Sequence, residues 1–278
     1  MNPQVDKPDS TCHTPVSARL KPHSQEFPIN EFDLPLVLWC AFALACGGLL
    51  KGALGVGTPL LPVPLMALAL PPQTAIVLMA MPVVAANVWQ TLRAPRADRL
   101  TGRFLPAFAA LLAGMYLGVG ILTRIDEKAL MAVVGAAAIV FALAHGLGWR
   151  LRIPAAWEKP AGLGFGFAAG VIGGVCSFFG PMLIIYLISL TDLRKEQFIG
   201  AIGFLYAGAV IPWAILLYYH GIMDNQLLLY STAAVLPVAL GMAAGTALRR
   251  FVSEHRFRRL ILAVLVCSGG VILARAWG

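Results

Sequence analysis

Lys51 is the one fixed charge set within the long apolar runs of this chain, and it stands beside a glycine- and proline-rich break. Burying an isolated ammonium is expensive, so an ionisable group at membrane depth is a functional candidate by default. Its chemistry would be the electrostatic capture of an anion, aided by helix N-termini that present partial positive charge. The competing reading is snorkelling, because a long lysine stem can carry the amine to an interface. Around it lie Gly52, Gly55, Gly57, Thr58 and Pro59. About 120 residues later a second break holds Gly173, Gly174, Ser177, Gly180 and Pro181. Glycine admits strained backbone and close approach, and proline frees a carbonyl one turn earlier. Such irregular backbone survives in a bilayer only where protein buries it or it lines a cavity. A cavity is the expectation for these residues; close packing through small residues is the alternative, and is preferred for Gly47, Gly48, Gly164 and Gly166.

Hydrogen-bonding side chains are few. Asn87, Gln90 and Thr91 cluster before Arg93, with Asn87 and Thr91 one helical turn apart; Tyr186 and Tyr206 join Ser177 in the second half. Each could bind a solute or simply bridge helices. No Asp or Glu lies within any apolar run, which removes the usual carboxylate proton relay or cation site. No run holds a Ser/His/Asp set, paired carboxylates or a metal-binding helix motif, so an intramembrane enzyme is disfavoured. His145 reads as an interface residue, and Trp213, Tyr218 and Tyr219 as an aromatic belt.

The elements that must position these groups are membrane helices. The 278 residues are 59% hydrophobic and 12% charged, with mean hydropathy +0.80, against roughly 25% charged in soluble domains. Apolar segments fall at 34–50, 55–70, 74–92, 104–122 and 129–148, and again at 161–175, 178–190, 198–219, 227–248 and 260–274. A full crossing needs about 20 residues; the last three of each set are read as full spans and the first two of each as short. The expected fold is an all-α polytopic membrane protein. It comprises a polar tail at 1–33, a first repeat at 34–149, a basic linker at 150–160 and a second repeat at 161–278. Each repeat is a broken or short helix pair followed by three full spans. Paired breaks in corresponding positions of two halves point to a transporter's binding site.

Arg and Lys crowd the loops at 93–103, 150–159, 194–195 and 249–259, whereas 122–128 is nearly balanced and 220–226 has neither. The positive-inside rule places the first four in the cytoplasm. Each broken pair then crosses an even number of times and the repeats are inverted; one crossing per pair would instead make them parallel. The net charge of +8 thus orients helices and calls for no nucleic-acid partner. The five cysteines form no ligand spacing, and the four in or beside apolar runs act as small hydrophobes.

At these residues the chain resembles the TauE/SafE family of membrane permeases. Gly52, Gly55, Val56, Gly57 and Pro64 match the family's first glycine-rich run, with Thr58 and Pro59 replacing two glycines. Gly173, Gly174, Gly180, Pro181, Leu183, Tyr186 and Leu187 match the second, with Phe179 where a glycine is usual. The stretch from Arg194 to Gly200 and the basic loop from Arg249 to Arg259 are also similar. The resemblance spans about 35–276. It implies export or uptake of a small sulfur-containing or carboxylate anion across the cytoplasmic (inner) membrane, without a bound cofactor. Membrane lipid is the expected surrounding partner, and a homo-oligomer is left open. A non-transporting scaffold that docks a partner through its basic loops is the alternative.

Overall fold

A computed structural model describes residues 33–55, 58–93, 100–146, 151–190, 193–248 and 254–278. Residues 1–32 of the polar tail, and Arg96, Arg99, Arg150, Arg249 and Arg250 of the basic loops, lie outside the described residues. All regular elements within the described residues are helices, beside an isolated backbone bridge between Ile153 and Leu190. Seven spans among the described residues are long and apolar enough to cross a membrane, so the chain is an all-α polytopic membrane protein. Leu34–Ala53 and Ala155–Cys176, where short segments were expected, are among them, whereas Ile261–Trp277, where a full span was expected, is a shorter apolar helix.

The first half begins with α1 (Leu34–Leu54), which runs through Lys51 where a shorter segment was expected. Gly47 and Gly48 do not interrupt it because each is covered: a Cβ on Gly47 would strike Pro62, and one on Gly48 the Val238 carbonyl. Gly55 ends it in the left-handed region (φ 80°), its N–H bonding back to the Lys51 carbonyl at 2.7 Å. A turn leads to α2 (Pro62–Met66), only five residues long, with prolines at 62 and 64. Next come α3 (Pro72–Leu78) and α4 (Ala80–Arg93), one span kinked at Met79, then α5 (Leu100–Leu122) and α6 (Glu127–Gly146).

The second half also opens on a broken pair, but its kinked span comes second after that pair rather than first. After a short 3-10 turn, α7 (Glu158–Cys176) begins three residues earlier than the segment boundary expected from the sequence, since Pro160 is tolerated in a first helical turn. Ser177 ends it, again left-handed (φ 66°), with its N–H on the Gly173 carbonyl at 2.7 Å. The remaining elements are α8 (Gly180–Ser189), α9 (Lys195–Tyr219), the kinked span α10 (Asn225–Ala233) plus α11 (Val235–Leu248), and α12 (Glu254–Trp277).

Both broken pairs are hairpins. Trp39 Nε1 donates to the Leu65 carbonyl at 2.9 Å, which brings the end of α2 back to the start of α1. In the second half the Ile153 N–H donates to the Ser189 carbonyl at 3.0 Å, and the Tyr186 hydroxyl to the Glu158 carbonyl at 3.3 Å. The end of α8 therefore returns to the start of α7.

The most extensive helix packing crosses between halves, α5 with α7 and α1 with α11, followed by α6 with α12. Glycines at four-residue spacing make the first two possible, since backbones approach closely where there is no Cβ. Gly166, Gly170 and Gly174 of α7 meet Ala107, Leu111 and Met115 of α5 in rising order, so the two helices run parallel. Gly241 and Gly245 of α11 meet Ala45 and Leu49 of α1 in the same sense. The kinks also meet across halves. Pro82 has no N–H, so the Leu78 carbonyl loses its helical donor; the buried Ser231 hydroxyl of α10 donates to it at 3.1 Å and accepts from the Met81 N–H at 2.9 Å.

Candidate functional site

Lys51 sits in the last turn of α1 with 5% of its surface exposed. It does not snorkel. Its Nζ donates to Asn87 Oδ1 at 2.6 Å, and Asn87 is held in that orientation because its Nδ2 donates to the Val83 carbonyl at 2.7 Å within α4. The same ammonium lies 5.9 Å from the centre of the Tyr206 ring on α9, within the range of a cation–π attraction. The Tyr206 hydroxyl in turn abuts Gly180 at the N-terminus of α8: a Cβ there would collide with it. Thr91 closes the cluster, its Oγ1 lying 2.9 Å from the Asn87 carbonyl and 3.2 Å from the Gly203 carbonyl of α9.

Lys51, Asn87, Tyr206 and Gly180 are thus brought together from α1, α4, α9 and α8, and the two breaks meet across the Tyr206 ring. One expectation is corrected. Lys51 does not stand directly beside a half-helix N-terminus; it lies at the C-terminal end of α1, whose carbonyl dipole end favours a cation. The N-terminus it approaches is that of α8, with Tyr206 between them.

An ammonium has three N–H donors. Among the described residues Asn87 is the single hydrogen-bond acceptor for Lys51. The site is therefore short of acceptors, which is the condition an anion relieves. Ser177 adds a second shortfall: it is fully buried and its Oγ has no hydrogen-bond partner among the described residues. Its positive φ is the left-handed backbone that side chains other than glycine rarely adopt, and residues held that way cluster at functional sites.

The other expected residues fall elsewhere. Gly52 faces Met242 and Thr246 of α11 and is a packing position. Gly55 is the cap of α1, with open space beside it. Thr58 and Pro59 are buried in the turn after the break, and Gln90 is half-buried on α4; Gly57 lies outside the described residues. In the second break Gly173 is covered by the Phe179 ring, and Gly174 faces Met115 and Gly118 of α5. Pro181 is buried in the first turn of α8. Tyr186 lies at the far end of α8, stacked on Phe165 with centroids 6.0 Å apart. It neighbours the ion pair of Arg103 with Glu158, whose two N···O contacts are 2.5 and 2.7 Å.

Trp213 was expected at a membrane surface. It is instead fully buried, with its indole N–H on the Gly174 carbonyl at 3.2 Å and its ring 5.8 Å from Phe179. Tyr218 and Tyr219, one turn and more beyond it, are exposed as expected. The signal available in the sequence was Phe179 itself: a large ring where the second glycine run is broken needs covering partners.

The family model described as "Sulfite exporter TauE/SafE" matches residues 40–272, nearly the whole of the described chain. No curated protein and no solved structure shows significant similarity to it.

Proposed function

The chain belongs to the TauE/SafE sulfite exporter family, and from that premise we propose that it is a secondary permease for a small anion. Sulfite, an organosulfonate or a related carboxylate would bind between the two breaks, and the site would open alternately to either side of the inner membrane. The observation that carries the reading is Lys51: a buried ammonium with a single neutral acceptor, placed where the two halves meet. A compact oxyanion would accept its remaining N–H groups, and the Tyr206 hydroxyl and α8 N-terminus lie within the same cluster to assist.

Packing directions support inverted repeats. The hairpin of α1 and α2 returns the chain to its starting side, so the α3–α4 span runs with α1 and α5 runs against it. Since α5 and α7 are parallel, α7 runs opposite to α1, its counterpart. With the basic loops in the cytoplasm, both hairpins dip into the membrane from opposite sides. The same packing argues about what moves. The tightest pairs, α1 with α11 and α5 with α7, each join one helix from each half. The bodies that rock would then be mixed bundles, with the α4–α9 contact and Lys51 at their boundary.

The test is uptake of labelled sulfite and of a short sulfonate into proteoliposomes containing wild type or Lys51→Met. The reading expects saturable transport in wild type and a loss of tenfold or more, on the order of 1.4 kcal/mol, in the variant. Equal rates for both proteins, or no anion-dependent flux in wild type, would reject it.

A further inference from the structure

A cleft of about 510 Å³ separates α4 from α11 on the face of α4 turned away from Asn87. Its walls are apolar, from Ala86 and Trp89 on one side to Val238 and Met242 on the other. Thr246 does not change this, because its hydroxyl donates to the Met242 carbonyl within its own helix at 2.8 Å. The exception is one end. There the Arg93 guanidinium lies over the Trp89 indole, 4.0 Å from its centre, and both side chains are exposed. Among the described residues the ion pair found is that of Arg103 with Glu158, and Arg93 has no carboxylate within reach. Arg96, Asp98 and Arg99 follow in the sequence, a net basic run.

We propose that this cleft binds an anionic phospholipid of the inner leaflet, one acyl chain lying between α4 and α11 and the phosphate on Arg93. Three features converge on that occupant. The volume falls in the range of roughly 300–1,000 Å³ of small-molecule sites, and walls without free donors suit a hydrocarbon chain. The cation sits at the basic end of the span, where headgroups of the cytoplasmic leaflet lie, and basic pockets between helices at that depth select anionic headgroups. Trp89 beside it is the amphipathic ring expected at headgroup level. A water-borne anion on its way to Lys51 would meet apolar walls here.

The experiment is native mass spectrometry of the full chain purified in detergent, with phosphatidylglycerol or phosphatidylcholine added. Wild type should retain phosphatidylglycerol roughly fivefold better than phosphatidylcholine, the factor of about one cation at the headgroup. Arg93→Gln should bring that ratio to about one, and Ala239→Phe, which narrows the cleft, should release both lipids. A preference that survives Arg93→Gln overturns the proposal, as does equal retention of the two lipids by wild type. So does a detergent-stable dimer that Ala239→Phe disperses while the lipid signal is unchanged. If Ala239→Phe fails to fold, the exposed Arg93→Gln variant decides alone. The binding does not rest on the anion reading: Lys51→Met should keep the phosphatidylglycerol preference even if transport is lost.

Discussion

The ammonium of Lys51, from the first half of the chain, faces the ring of Tyr206 from the second at 5.9 Å. Position in the repeat sharpens the contrast. Lys51 lies four residues before the left-handed cap Gly55; the residue four before the matching cap Ser177 is Gly173, and the Phe179 ring covers it. Equivalent places in the two hairpins thus carry a cation in one half and an apolar plug in the other. Two hairpins with the same kind of cap differ at the residue four before it.

Charge and stability should separate at Lys51. Removing an isolated buried charge removes its desolvation cost, which offsets the unpaired Asn87 oxygen left behind, so Lys51→Met should melt near the wild-type temperature although its transport fails. Asn87→Asp would place a carboxylate 2.6 Å from the ammonium and supply its counter-charge internally, at the loss of the Asn87 Nδ2 bond to the Val83 carbonyl. It should keep the fold and abolish the rise in melting temperature produced by sulfite, since only a ligand that binds the native state gives one. A sulfite-dependent shift that persists in Asn87→Asp would count against Lys51 as the anion contact.

The plug should set the size of the site. Phe179 packs on Gly173 and lies edge-on to Trp213. Phe179→Ala should cost about 3–5 kcal/mol, the usual range for emptying a core phenylalanine position. If it folds, it should take larger sulfonates better relative to sulfite. Competition by a graded series of alkyl sulfonates in proteoliposomes measures this; an unchanged order would place Phe179 away from the solute.

Ser231 should hold the kinked spans together. Ser231→Ala leaves the Leu78 carbonyl and the Met81 N–H without their partner, at about 1–3 kcal/mol. Thermal unfolding in detergent should show the loss. Thr246 is exposed and its hydroxyl bonds within its own helix, so Thr246→Ala should change little.

The glycine crossings should be intolerant in a position-specific way. Gly170→Leu or Gly241→Leu would drive a side chain into the backbone of α5 or α1, which cannot yield as a flexible side chain would. Strain beyond the ~1–3 kcal/mol of ordinary overpacking should prevent assembly, seen as loss of monodisperse protein. Gly120→Ala and Gly164→Ala meet nothing within 4 Å and should behave as wild type.

Much of this fold was readable along the chain because its signals are local. Apolar length marks a span, a proline or left-handed glycine marks its end, and a glycine every fourth residue marks a face that admits another backbone. Those features gave the all-α class, both breaks and the packing role of Gly47, Gly48 and Gly166. Lys51 as the residue to watch was equally plain, since one charge in an apolar run has no local explanation.

What the sequence could not state is which partner each face meets. Gly52 and Gly173 stand in the same kind of motif, yet one is closed by α11 and the other by Phe179. Trp213 has an indole N–H that suits an interface or a buried carbonyl equally, and only the arrival of Gly174 decides between them. Lys51 found Asn87 and Tyr206 because hairpin closure and cross-half packing bring α1, α4 and α9 together. Spacing along a helix fixes a direction in which a side chain leaves its own axis; the group waiting there belongs to another segment, and its identity is a property of the assembled bundle.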